Sequence, residues 1–202
     1  MTNLRPLLSA MILTALAGAV SGCVGAVVGA GASAGVAAAE ERGFDGALDD
    51  TKIRAEINRL WFDRDVEMYR QANLNISEGR VMLTGVVKTE QARADAVRLA
   101  WQASGVKEVL NELQVRAEGE AGLDQANDLW IQNKLKARLL GDSDVKNINY
   151  TIDVTDAVVY LLGIAQNDAE LDRVIAHARD VSGVKRVISH VRLKTDPRRV
   201  GG

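Results

Sequence analysis

The sequence predicts an α+β protein built from two tandem copies of one module. Each copy runs helix, strand, strand, helix, strand, with a three-stranded mixed sheet covered by two helices. Three observations carry this. Ser104-Gly105-Val106-Lys107-Glu108-Val109 returns 78 residues later as Ser182-Gly183-Val184-Lys185-Arg186-Val187. The same offset pairs Ile53 with Ile131, Val81 with Val159, Leu83 with Leu161 and Gly85 with Gly163. Residues 51–115 and 129–193 align without a gap, yet only 10 positions are identical. Low identity without insertion means that a fold pattern is what repeats.

The chain divides into a leader at 1–22, a Gly/Ala-rich tether at 23–48, module one at 49–115, a linker at 116–127, module two at 128–194 and a basic tail at 195–202. Each module is near the smallest size at which one core sustains itself, so such units lean on neighbours. Net charge is -2, and loss of Arg5 with the leader leaves 24 basic against 27 acidic residues. Nucleic-acid binders usually carry a basic excess, so none is expected as partner. Aromatic residues make up 4%, too few for a base-stacking platform. One cysteine allows no internal disulfide.

Arg5 precedes an apolar run over 7–19, the pattern of a secretory signal peptide. Val20-Ser21-Gly22-Cys23 then resembles the bacterial lipobox, in which small residues admit the peptidase and the cysteine thiol takes the lipid. The resemblance implies that Cys23 is acylated (palmitate among the acyl chains) and becomes the new N-terminus. Val24 stands where an aspartate retains lipoproteins at the inner membrane, which implies delivery to the outer one. The small-residue stretch that follows reads as a tether; its Gly25/Gly29 and Gly31/Gly35 spacing also fits a helix-pairing face, but 16 residues are short for a span. Glu40-Glu41-Arg42-Gly43 brings the chain back to water.

Module one opens at Asp49-Asp50, read as the N-cap of a helix whose Ile53, Ile57, Leu60 and Trp61 recur at helical spacing. Leu74-Asn75-Ile76 is a strand, Glu78-Gly79 a turn, and Val81, Leu83 and Gly85 the inward face of the return strand. Thr89 caps a second helix with Ala96, Val97, Ala100 and Ala103 as its buried stripe; Gly105 stops it. Residues 106–115 supply the last strand. The first two strands form an antiparallel hairpin, and the right-handed strand-helix-strand crossover makes the second and last strands parallel. Gly85 and Gly163 are expected to end their strands at a special backbone angle or tight approach.

Module two repeats the plan. Asp128 is read as the cap of a helix over 129–140, and Asn167-Asp168 opens a second with Val174, Ile175, Ala178 and Val181 inward. Gly183 takes the place of Gly105. The middle strand differs, because residues 157–164 are apolar on both faces, and that requires cover on both. The helices cover one. Val158, Tyr160 and Leu162 then meet either module one or a partner.

With these residues placed, Glu78-Gly79-Arg80-Val81-Met82-Leu83-Thr84-Gly85, followed by a helix and Gly105-Val106-Lys107, resembles the BON domain. The second copy fits at Val159, Leu161, Gly163, Gly183, Val184 and Val187. Two copies behind a lipobox resemble dual-BON outer-membrane lipoproteins of the DolP type; OsmY-like relatives are soluble and periplasmic. The resemblance implies a non-catalytic, lipid-anchored protein on the periplasmic face of the outer membrane. It would bind anionic phospholipids and support membrane integrity, or serve as a protein-interaction module of the envelope. Asp156-Ala157 replaces the motif's turn glycine, so that hairpin is expected to bend differently.

No enzyme is expected and no cofactor. The sequence has no HExxH motif, P-loop or paired-cysteine spacing for a metal. His177 and His190 read as ordinary surface residues. The candidate binding surface is the first helix of module two. Ile131, Leu135 and Leu139 recur every four residues for the core; Trp130, Lys134 and Arg138 do so about 100° round the helix. The segment 129–140 carries three positive charges and no acid. An indole beside cations suits the headgroup boundary, although Trp130 could equally pack inward. The resemblance favours lipid, with Leu129, Trp130, Lys134 and Arg138 as contacts. Lys185, Arg186, Arg198 and Arg199 would add to the field.

Overall fold

A computed structural model describes residues 35–117 and 124–199. Cys23, the leader and most of the tether lie outside the described residues, as does part of the linker. The described residues from 39 onward belong to one compact unit.

Module one comprises α1 (Gly43–Arg64), a short α2 (Val66–Gln71), β1 (Ala72–Ser77), β2 (Arg80–Val87), α3 (Glu90–Ala100), β3 (Glu108–Asn111) and β4 (Gln114–Val115). Module two has α4 (Gln125–Leu140), β5 (Tyr150–Thr155), β6 (Val158–Ala165), α5 (Asp168–Arg179) and β7 (Arg186–Leu193). Each module pairs its hairpin antiparallel and its crossover strands parallel. β3 and β4 are one strand interrupted at Glu112 and Leu113, and both run parallel to β2. Each sheet buries one face against its helices: Ile57, Trp61, Val81 and Leu83 in module one, Ile131, Leu135, Val159 and Leu161 in module two.

Neither Asp50 nor Asp128 caps a helix. α1 begins at Gly43 and α4 at Gln125, where Asp124 accepts from the Asn127 N–H. Asp50 and Asp128 lie inside their helices, and their carboxylates accept the two backbone N–H groups of each hairpin turn. Asp50 takes Glu78 at 2.9 Å and Gly79 at 2.8 Å. Asp128 takes Asp156 at 2.8 Å and Ala157 at 2.7 Å. Those turns therefore bend alike, contrary to expectation. Glu78 and Gly79 have φ of 57° and 76°, Asp156 and Ala157 of 52° and 61°, the positive-φ pair of a tight hairpin. Ala157 carries the left-handed angle without a glycine because Asp128 holds the turn from inside.

Gly85 and Gly163 do not end their strands, which continue two residues further. A Cβ on Gly85 would sit 2.3 Å from the Gln71 carbonyl oxygen, and one on Gly163 2.0 Å from that of Asn149. Gly105 and Gly183 do not stop their helices either: α3 ends at Ala100 and α5 at Arg179, and each glycine turns the chain into the next strand at φ 91° and 86°. The buried stripe of α3 is Ala96, Leu99 and Ala100, continued by Ala103 in the turn that follows, with Val97 only half-buried.

The two sheets stack through their outer faces. Val158, Tyr160 and Leu162 are buried with Met82 of β2, and Leu110 and Ile188 pack against them. Module one is thus what covers the apolar face of β6. Polar contacts rim this seam. Arg80 donates to the His190 carbonyl at 2.8 Å, Arg192 to Glu108 at 2.9 Å and Asn73 to Asp153 at 3.2 Å, and Thr84 also donates to Asp153. Equivalent positions face each other: Met82 meets Tyr160, and Glu112 meets His190 at 2.8 Å. The modules are therefore related by an approximate two-fold axis through the seam.

Candidate functional site

The sequence around α4 explains its placement. Ile131, Leu135 and Leu139 form one stripe, each almost wholly buried against β5, β6 and α5. That stripe turns the remaining faces outward. Trp130 is 49% exposed, Leu129 57% and Leu140 73%. The indole does not pack inward, because the helix has no second apolar face to cover. Lys134, one turn on, is exposed beside it and Lys136 is exposed farther round the helix, and among the described residues neither meets a carboxylate within ion-pair distance. Arg138 departs from the candidate set. It is half-buried and donates to the His177 carbonyl at 3.4 Å, since at the end of the helix its position turns toward α5. The exposed face is therefore Leu129, Trp130, Lys134, Lys136 and Leu140. Leu140 was missed because it follows the core residue Leu139 and reads as its continuation.

The equivalent helix in module one carries different chemistry on the same frame. Trp130 corresponds to Lys52, which pairs with Asp49 at 2.9 Å. Lys134 corresponds to Glu56, which accepts from the Ser104 N–H at 3.0 Å. Exposed apolar surface on module one gathers instead at Phe62, Val66 and Tyr69, where Phe62 and Tyr69 stack edge to face with centroids 5.7 Å apart.

Several cations expected to extend the positive field are already paired. Lys185 meets Asp156 at 3.1 Å. Arg198 meets Asp196 at 2.6 Å and Arg199 meets Glu78 at 2.8 Å. The basic tail is thereby fastened to the hairpin turn of module one. Arg186 is exposed at the start of β7. The histidines are not ordinary surface residues. His177 bonds Asp142 at 2.7 Å, and that bond holds the Asp142 carboxyl below the usual carboxylate range. His190 bonds Glu112 in the seam. No cluster among the described residues could hold a metal ion.

Glu40-Glu41-Arg42 is not a free return to water but a strap across both modules. The Glu41 N–H donates to Asn149 Oδ1 at 2.8 Å. Its carboxylate accepts from Lys194 at 2.9 Å and Gln166 at 3.1 Å. Arg42 reaches Asp50 at 2.7 Å and the Ile76 carbonyl at 3.2 Å, and also pairs with Glu40. The strap lies in the groove where the hairpin end of module one meets the open end of module two.

The BON domain family profile matches residues 49–117 and 127–195. An uncharacterized protein of Anaplasma centrale is 42% identical over 147 residues, 73% of this chain and 96% of that one. Osmotically-inducible protein Y of Escherichia coli K12 is 30% identical over 148 residues, covering 73% of this chain and 74% of that protein. Outer membrane lipoprotein DolP of Haemophilus influenzae is 31% identical over 153 residues, covering 75% and 78%.

Proposed function

The chain belongs to the BON-domain family, and from that premise we propose that it is a non-catalytic, lipid-anchored envelope protein that binds anionic phospholipid surfaces through α4. Cys23 carries the anchor, and the body works at the periplasmic face of the outer membrane in support of its integrity. The observation that supports the reading best is the outward face of α4. Three exposed apolar side chains, Leu129, Trp130 and Leu140, share one helix with Lys134 and Lys136. Indole partitions at the headgroup boundary, and each nearby cation contributes on the order of 1 kcal/mol at an anionic surface. Such binding needs several contacts and weakens with salt.

Flotation of the full mature chain with Cys23→Ser, on vesicles with and without phosphatidylglycerol, tests this. Trp130→Glu should abolish binding while circular dichroism stays unchanged. Persistent binding in that variant, or indifference to anionic lipid, rules the surface out. In cells, Cys23→Ala should release the protein from the outer-membrane fraction, because firm anchoring requires two or more acyl chains.

A second reading, a protein-docking module of the envelope, draws on the Phe62, Val66 and Tyr69 patch of module one. Under it, a Phe62→Ser chain would bind vesicles like the parent and lose an envelope partner.

A further inference from the structure

Six of the eleven large apolar side chains exposed among the described residues gather on two segments: Phe62, Val66 and Tyr69 where α1 meets α2, and Leu129, Trp130 and Leu140 on α4. Single exposed apolar residues are ordinary, whereas clusters mark contact surfaces. The two segments belong to different modules, and the seam sets them side by side. Arg70 and Gln71 of α2 line the same cavity as Gln125, Leu129 and Gln132 of α4. Whatever that cavity holds, both helices border it. Helical periodicity then fixes which faces adjoin. At about 100° per residue, Leu129, Lys136 and Leu140 share the flank of α4 that Gln132 occupies, and Trp130 and Lys134 take the other flank. On α2, Met68 is the buried residue, so Val66 and Arg70, two positions to either side, turn away from the core. Phe62 reaches the same corner by stacking edge to face on Tyr69. The Leu129 flank of α4 therefore leans toward module one, and the aromatic corner of module one stands beside it.

We infer that the aromatic corner of module one and α4 of module two make one lipid-contacting surface, seated together on the headgroup layer of an anionic bilayer. The inference rests on the membrane-binding reading of α4 and deepens it by carrying the contact across the seam. Three features favour lipid over protein at the corner. It continues the α4 face rather than standing apart from it. Its residues are of the interfacial kind: Tyr69 offers a ring with a polar tip, as Trp130 does, and Phe62 and Val66 supply the apolar part. The acids around it are engaged within the module: Asp63 accepts from Arg59 at 3.2 Å, Asp65 from the Glu67 N–H at 2.8 Å and Glu67 from Gln71 at 2.6 Å. The corner is also peculiar to module one. The residues 78 positions on, 144–149, form a turn and a short 3-10 helix, so module two has no equivalent of α2. A contact spread over two modules locked by the seam fixes the tilt of the body on the membrane, where a single helix would leave it free to roll.

The test uses the full mature chain with Cys23→Ser on phosphatidylglycerol nanodiscs that carry a nitroxide-labelled lipid, with backbone amides followed by nuclear magnetic resonance. Paramagnetic broadening is expected at residues 66–70 as well as at 129–140, and at neither on phosphatidylcholine discs. Phe62→Ser should weaken binding to phosphatidylglycerol vesicles by about tenfold, because a half-exposed ring offers about half the transfer free energy of a fully buried one. Val66→Ser should weaken it by less, and circular dichroism should stay unchanged in both variants. Parent-like vesicle binding in both, with broadening confined to 129–140, overturns the shared surface, leaves α4 standing and returns the corner to a protein partner. Broadening confined to 66–70, with Trp130→Glu binding like the parent, overturns the shared surface and the α4 reading together. Absence of vesicle binding by the parent does the same.

Discussion

The outer sheet faces of the two modules occupy the same positions of the same fold and differ in nearly every residue. Module two presents Val158, Tyr160 and Leu162 where module one presents Arg80, Met82 and Thr84. One face is apolar and the other amphipathic, and the difference is what makes them fit. Met82 supplies the apolar contact at the centre. Arg80 and Thr84, both buried, flank it and find the His190 carbonyl and Asp153. Two identical faces related by a two-fold axis would set each residue against its own kind. Divergence lets Glu112 meet His190 instead of a second glutamate. The same lesson holds for the first helices: α1 pairs Lys52 with Asp49 and Arg59 with Asp63, and α4 leaves Lys134, Lys136 and an indole outward.

Breaking the seam should have the largest effect. Tyr160 is 2% exposed, and Tyr160→Asp places an uncompensated carboxylate among Met82, Val158 and Leu162. A buried charge without a partner costs roughly 3–5 kcal/mol, so the melting temperature should fall steeply and small-angle scattering should report a longer particle. Met82→Asp should do the same from the other side. A variant as stable and compact as the parent would show that the seam contributes nothing.

The turns sharpen the comparison next. Removing Asp50 or Asp128 orphans two backbone N–H groups, which costs on the order of 1–3 kcal/mol. Asp128→Ala should be the worse of the pair by urea titration. Gly79 accepts its positive φ freely, whereas Ala157 depends on its clamp to stay at 61°. Ala157→Gly should restore most of the loss in Asp128→Ala. Equal losses in the two modules would mean that the clamp does not act on turn geometry.

The smallest effect concerns the strap. The folded pKa of Glu41 lies below its unfolded value, chiefly through the hydrogen bond from Lys194. Its contribution is therefore complete above the ordinary glutamate value and disappears as pH falls through the lowered folded one. Melting temperatures followed from about pH 6 to about pH 3 should decline less steeply in Glu41→Gln than in the parent. Lys194→Met should flatten the same limb, and an unchanged slope in both variants would remove the strap from the acid response.

The sequence by itself determined the repeated module, its strand order and which residues face each core, because those follow from periodicity and from the 78-residue offset. It also marked β6 as covered twice, since a run apolar on both faces has no other stable surroundings. What it left open was everything that depends on which side chain lies opposite. Asp50 and Asp128 sit one residue outside the aligned segments and read as caps, because a carboxylate before a helical stripe is the usual cap pattern. Only the fold brings a hairpin turn within reach of them. Gly85 and Gly163 read as sites of a tight approach. Only the fold shows that the carbonyl oxygens of Gln71 and Asn149 are what exclude a side chain, and that the strands run on past them. Arg138 belongs to the cationic stripe by spacing, but the neighbouring α5 draws it inward to a backbone carbonyl. Glu41 is a solvated charge by composition and becomes a strap only when two modules meet at a groove. Local pattern encodes burial along one element; pairing between distant elements is decided by tertiary structure, because the partner of a polar group is set by geometry that no single segment contains.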